Sequence, residues 1–213
     1  MPADIILVGS GGCMREIAWL IEEEQKKRDF YKIRGIVDKA GQGYKNYPCL
    51  GDDDYLINLT EAVNVAVCVG NPALRKKIVT KLKQNPMLHF PVLLLGGAEA
   101  AASTEIGQGS ILCARSIVTT DGKLGEFVFV NTAVIISHDA RIGDFVTISP
   151  GAKLAGNVMV EEKAEIGIGA TIIQGIKIGA GSVVGAGAVV IRDIEADVTA
   201  VGVPARKIKK NND

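Results

Sequence analysis

At 213 residues the chain is long enough for two modest domains. Its 24 basic and 24 acidic side chains cancel, which argues against a nucleic-acid binder, whose affinity rests on neutralising phosphates. Aromatics make up only 5% against 25 glycines, a composition suited to a slender aliphatic core, and no apolar run approaches the roughly 20 residues of a membrane span. The N-terminus lacks a cationic stretch ahead of an apolar one, so a cytoplasmic protein without membrane insertion is expected. Cys13, Cys49, Cys68 and Cys113 are widely spaced with no CxxC, and they read as reduced thiols rather than a disulfide or zinc framework.

The first 87 or so residues alternate strand and helix signals. Asp4-Ile5-Ile6-Leu7-Val8 is a short apolar strand that runs into Gly9-Ser10-Gly11-Gly12, and helical spacing follows from Met14 to about Lys27. Ile33 to Val37, ending at Asp38, predicts a second strand, and Val63 to Val69, ending at Gly70-Asn71-Pro72, a third. A further helix is expected over Ala73 to Lys83. This pattern predicts a small parallel Rossmann-like sheet with right-handed crossovers and a ligand beyond the strand C-termini.

Gly9-Ser10-Gly11 begins like a dinucleotide fingerprint, but Met14 stands in the place of its third glycine, so the nicotinamide motif is incomplete. Two readings of the turn remain. It cradles a phosphate on backbone N–H groups at a helix start, or it is a tight turn that binds nothing. Asp38 has the same duality: an acceptor for a ribose or base, or a solvated turn aspartate. His89 precedes Phe90-Pro91 in the linker and reads as structural.

From residue 88 onward the pattern changes. Fifteen aliphatic residues recur at an unbroken interval of six from Ile106 through Ile136 and Ile142 to Val190, and the residue four places after each is always small or apolar. Neither a heptad nor a helical period holds that register. It is the hexapeptide pattern of a parallel β-helix. Three hexads per coil would stack residues 18 apart at about 4.8 Å and close five coils. Glycine follows the aliphatic at Gly107, Gly125, Gly143 and Gly179, with Glu161 the exception, as expected if one corner prefers a residue without Cβ.

His89 and His138 are the only histidines, so the repeat region cannot supply the three nitrogen or thiolate ligands of a catalytic zinc site. His138 lies in Ser137-His138-Asp139, on a corner or outer face, and is followed at once by a carboxylate. Imidazole is the side chain best suited to take a proton at neutral pH, so a general base is favoured over a polar corner residue. Eighteen residues on, one coil above, is Gly156, whose N–H is placed to meet an oxyanion formed beside the imidazole.

These residues carry a family resemblance that spans nearly the whole chain. Val8 to Gly12, Val37-Asp38, Gly70-Asn71, Ile136 to Asp139, Ile142 to Phe145, Ile148 to Ala152, Leu154 to Asn157 and the closing Val201-Gly202-Val203-Pro204-Ala205-Arg206 resemble the sialic acid O-acetyltransferase and UDP-4-amino-sugar N-acetyltransferase family. The resemblance implies a Rossmann-like domain over residues 1–87 and a left-handed β-helix over 88–213. It also implies a homotrimer with acetyl-CoA in the groove between neighbouring prisms and a nucleotide-linked sugar held mainly by the N-terminal domain. His138 would be the base, Asp139 would orient it, and the Gly156 N–H would stabilise the oxyanion.

By the same likeness Thr147, Ile168, Gly185 and Ala186 would line the coenzyme, with Pro204 and Arg206 near its far end. Gly11, Gly12, Cys13, Asp38, Gly70 and Asn71 would meet the sugar nucleotide. The family usually has histidine where this chain has Cys13, and a thiol cannot make the same hydrogen bonds. Acetyl transfer to an amine or hydroxyl is the leading expectation. A γ-carbonic-anhydrase-like metalloprotein and a non-catalytic sugar-nucleotide-binding protein are the alternatives.

Overall fold

The computed structural model describes residues 3–211, and the chain divides after Pro91 into two compact units. The first contains β1 (Asp4–Val8), α1 (Gly12–Gln25), β2 (Lys32–Val37), β3 (Cys49–Gly51), α2 (Asp53–Ile57), β4 (Val63–Val67), α3 (Pro72–Leu82) and β5 (Leu88–His89). All five strands are parallel, in the order β3-β2-β1-β4-β5. Ile5, Ile6 and Leu7 in central β1 have no exposed surface, the continuous apolar run expected of a strand covered on both faces. Helix α1 packs on β1 and β2, while α2 and α3 contact each other and pack on β2, β3 and β4; with the right-handed crossovers such sheets favour, α1 covers one face and α2 and α3 the other.

Helix α1 starts two residues before its sequence-expected beginning, and Met14, at the missing third glycine, is fully buried in it. A flexible side chain fills this helix–sheet contact, where the dinucleotide fold would bring two backbones together. Helix α3 is fixed by Asn71, whose side-chain oxygen accepts from the Leu74 N–H at 2.8 Å, and by Pro72 in the first turn. Strand β3 and helix α2 span only three and five residues, too few for hydrophobic periodicity to reveal. Residue 89 is not linker: His89 pairs with Asn64 in β5, so the sheet continues past residue 87.

The second unit is a three-sided parallel β-helix. A first side stacks six two-residue strands from Glu99–Ala100 to Val189–Val190, and a second stacks five from Glu105–Ile106 to Lys177–Ile178. The third begins at Leu93–Leu94, runs to Val183–Val184, and ends with Val198–Val201 and the antiparallel Arg206–Lys210, eight strands in all. Every ladder between two-residue strands joins residues 18 apart, as in Ile135↔Lys153 and Arg141↔Met159, and the last parallel pairing, Val183↔Thr199, shortens to 16. The coils therefore begin two hexads before Ile106, at Leu94 and Ala100. Alanine at the second of these positions hid the start of the register.

Both inward positions of each hexad form one core. Ile136, Ile148, Ile166 and Val184 have no exposed surface, and neither do Ala140, Ala152, Ala164 and Ala170 four places after their own aliphatics. Burying each large aliphatic contributes about 1.5–3 kcal/mol. From Gly109 to Gly187 every sixth residue turns a corner with φ between +53° and +72°. Eight of these fourteen are not glycine, Asp139 and Asn157 among them, the residue types that best tolerate this conformation.

The glycine column at 107, 125, 143 and 179 lies two residues earlier and has another cause. A Cβ at Gly143 would stand 2.7 Å from the Glu162 nitrogen, and one at Gly107 2.5 Å from the Gly125 oxygen. The next coil's backbone occupies the space where a side chain would go.

Candidate functional site

His138 and Asp139 turn the corner between the first and second sides. Buried Ile136 anchors the corner from within, while the two polar side chains are 63% and 54% exposed. Asp139 adopts φ +58°, and its Oδ2 lies 2.8 Å from His138 Nδ1. A neutral imidazole that donates from Nδ1 to this carboxylate carries its lone pair on Nε2, free to accept a proton.

Gly156 follows one coil later on the same corner. The Asn157 N–H donates to the His138 carbonyl at 2.8 Å, which locks the two turns together. A Cβ on Gly156 would fall 2.4 Å from Cε1, 2.5 Å from Nε2 and 3.0 Å from Nδ1 of the imidazole. The ring thus lies against the bare Cα, and only glycine leaves room for it. The Gly156 N–H has no acceptor among the described residues. A proton acceptor and a free amide donor stand side by side on an open edge, the pair of groups that acyl transfer requires.

The residues expected to line a coenzyme gather elsewhere on the prism. Thr147 lies on the third side but is buried there, Arg206 begins that side's last strand, and Pro204 precedes it. Ile168 and Ala186 stack on the following corner, between the third and first sides, and Ile168 is 61% exposed. Gly185 has a packing reason to be glycine, since a Cβ there would meet Val201 Cγ1 at 2.6 Å. The two groups therefore flank the first side from opposite edges. Its outward face carries Ile117, Ile135, Ile173 and Ile191, each about two-fifths exposed, beside Glu99, Lys153 and Thr171, and the second side presents Glu105, Lys123, Arg141, Met159 and Lys177 outward.

In the first unit a cleft of about 220 Å³ opens at the C-terminal ends of β1, β2 and β4. Strand order reverses there, between β1 and β4, the usual ligand position in an open parallel sheet. Val8, Val37, Val69, Leu74 and Ile78 give it apolar walls; Asp38, Asp53, Lys39, Lys77 and Lys81 supply charge, with Lys81 Nζ 3.5 Å from Asp53 Oδ2. Asp38 is partly used locally, accepting from the Ala40 N–H at 2.8 Å. Leu74, Lys77, Ile78 and Lys81 recur at helical spacing on α3. That periodicity was the available signal for them, and it had no meaning until the helix was placed over the strand ends.

Of the sugar-contacting candidates, only Asp38 lines this cleft. Gly11 caps α1, and Gly12 and Cys13 form its first turn. A Cβ at Gly11 would meet nothing within 4 Å, so this turn is open to an approaching group rather than closed by packing. Gly70 accepts from Arg75 Nη1 at 3.0 Å, and Asn71 is committed to capping α3. Burial pushes the Cys13 thiol up to about 12, against the opposing pull of Arg75. That environment keeps the sulfur protonated, so the helix N-terminus does not activate it as a nucleophile. Among the described residues no three His, Cys, Asp or Glu stand close enough to hold a metal ion, and no helix is long and apolar enough to cross a membrane.

The family profile described as the PglD N-terminal domain matches residues 4–82. The acetyltransferase domain of PglB from Neisseria gonorrhoeae FA1090, solved with acetyl coenzyme A, is 34% identical; the match covers 98% of this chain and 100% of that one, with a TM-score of 0.90. WeeI from Acinetobacter baumannii AYE is 32% identical over 97% and 100% of the two chains, with a TM-score of 0.81. PerB from Caulobacter crescentus, solved with CoA and GDP-perosamine, is 29% identical over 97% and 98%, with a TM-score of 0.90. Among curated proteins no significant sequence match is found.

Proposed function

The chain belongs to the hexapeptide-repeat sugar acetyltransferases, in which a PglD-type N-terminal domain precedes a left-handed β-helix, and from that premise we propose that it acetylates an amine of a nucleotide-linked sugar with acetyl-CoA. The observation that carries the reading is the imidazole of His138, held by Asp139 and resting on Gly156. The amine attacks the thioester carbonyl while Nε2 of His138 takes its proton, so a C–N bond forms as the carbonyl oxygen becomes an oxyanion. The Gly156 N–H donates to that oxyanion. Collapse breaks the C–S bond, and the imidazolium returns the proton to the departing thiolate. Asp139 keeps Nδ1 protonated so that the lone pair faces the substrate.

The nucleotide is assigned to the first unit. Its cleft offers apolar walls to a base and lysines to phosphate, and the α1 turn adds open backbone N–H groups. Acetyl-CoA is assigned to a groove between two copies in a homotrimer. Two features support this: the base and the coenzyme-lining residues occupy opposite edges of one side, and that side exposes Ile117, Ile135, Ile173 and Ile191 beside Glu99 and Lys153, an apolar set that a neighbouring copy would cover. Free thiols and an acetyl-CoA co-substrate fit a cytoplasmic setting.

The test is release of free CoA thiol on incubation with acetyl-CoA and a panel of UDP-, GDP- and CMP-linked amino and hydroxy sugars. His138→Ala is expected to lower kcat by about 10²–10⁴-fold with CoA affinity retained. Turnover unchanged in that variant removes the proposed base.

A further inference from the structure

Resting on the reading of His138 and Gly156 as the acetyl-transfer site, we infer that Gln174 is a further catalytic residue, whose side-chain amide donates a second hydrogen bond to the oxyanion. Ladder register stacks Thr120, His138, Gly156, Gln174 and Arg192 in one column on the corner between the first and second sides, as the pairs Leu154↔Ile172 and Ile172↔Val190 require. The Gly175 N–H donates to the Gly156 carbonyl at 3.0 Å, which sets Gln174 directly on the coil above Gly156.

The imidazole closes one side of the Gly156 corner, and Gln174 is the first side chain of the column on the other. A coil spacing of about 4.8 Å is within reach of a glutamine carboxamide. Gln174 is exposed, and its carboxamide has no hydrogen-bond partner among the described residues. Gly175 beside it turns with φ +72° and presents no side chain that would shield the amide.

The chemistry gives this placement a use. The carbonyl oxygen gains a full negative charge as the C–N bond forms and can accept from two donors, while the corner backbone provides one, at Gly156. A carboxamide N–H supplies the second without exchanging protons, leaving the single proton transfer to His138. Thr120 lies on the opposite flank of His138, two coils from Gly156.

The experiment measures kcat, KM for the nucleotide sugar and CoA affinity for Gln174→Ala and Gln174→Glu, beside His138→Ala. Gln174→Ala is expected to lower kcat about 10–100-fold with KM and CoA affinity within about twofold, because a donor used only in the transition state is lost. Gln174→Glu, which cannot donate and sets a negative charge against the oxyanion, is expected to lose more than Gln174→Ala. The inference is overturned if kcat of Gln174→Ala stays within about twofold of the parent, if its whole loss lies in coenzyme binding, or if Gln174→Glu equals the parent. Full turnover by His138→Ala would instead overturn the reading of the site itself, whatever Gln174 does.

Discussion

Gly156→Ala isolates the geometry of the site from its chemistry. The substitution keeps the backbone N–H that serves the oxyanion and keeps His138 and Asp139, and because φ at this position lies outside the left-handed region it adds no backbone strain. Its only new atom would stand 2.4 Å from Cε1 of the imidazole, where ordinary contact begins at 3.4 Å. The ring must therefore retreat by about 1 Å, pulling Nδ1 from its 2.8 Å contact with Asp139. Displacements of that size cost about 10²-fold in rate, so kcat measured by CoA thiol release is expected to fall by that order. Stability should scarcely change, since the ring is 63% exposed and can swing into solvent, and one exposed hydrogen bond contributes about 1 kcal/mol at most. A variant within about threefold of parental turnover would refute the argument that the imidazole works from its position on Gly156. So would a collapse in melting temperature, because it would mean that the ring cannot move aside.

Gly143→Ala should act in the opposite sense: its Cβ would press on the Glu162 nitrogen at 2.7 Å and the Glu161 carbon at 3.0 Å. A loss of about 1–3 kcal/mol in denaturant unfolding is expected, and parental stability would show that neighbouring coils can part. Ile135→Asp, among the exposed isoleucines of the first side, should convert the proposed trimer to smaller species in sedimentation; an unchanged mass would exclude that side from the interface. Cys13, raised from 9.0 to about 12 by burial, should react with iodoacetamide at pH 8 far more slowly than a free thiol, with thiolate lower by on the order of 10³. The same shift implies that stability falls between about pH 9 and pH 12, because only the unfolded chain releases that proton there. Labelling of Cys13 at the free-thiol rate would contradict its burial.

Much of the architecture was legible because the β-helix is nearly one-dimensional. Each hexad repeats the same inward aliphatic, so a period of six and stacking by 18 place His138 beside Gly156 with no knowledge of remote contacts. The glycine column was visible too, but its cause was not. The positive-φ corners come two residues later and are often filled by aspartate, asparagine or larger residues, while the glycines answer to backbone in the adjacent coil. The opening hexads escaped notice because Ala100 stands where a large aliphatic would have signalled the turn.

The Rossmann-like unit was less transparent for the opposite reason. Its cleft draws on β1, β2, β4 and α3, segments far apart in sequence, and Lys77 and Lys81 become site residues only when α3 lies across the strand ends. Asn71 shows how a matching residue can be occupied by capping a helix, and Cys13 how burial can silence a thiol. Sequence alone determined the repeat, the strand-and-turn order of the first unit and the His138–Asp139–Gly156 corner, because those features are set by periodic neighbours. Tertiary structure decided which groups share a cleft, which glycines yield to steric pressure and which edges flank the first side, because those depend on segments brought together only by packing.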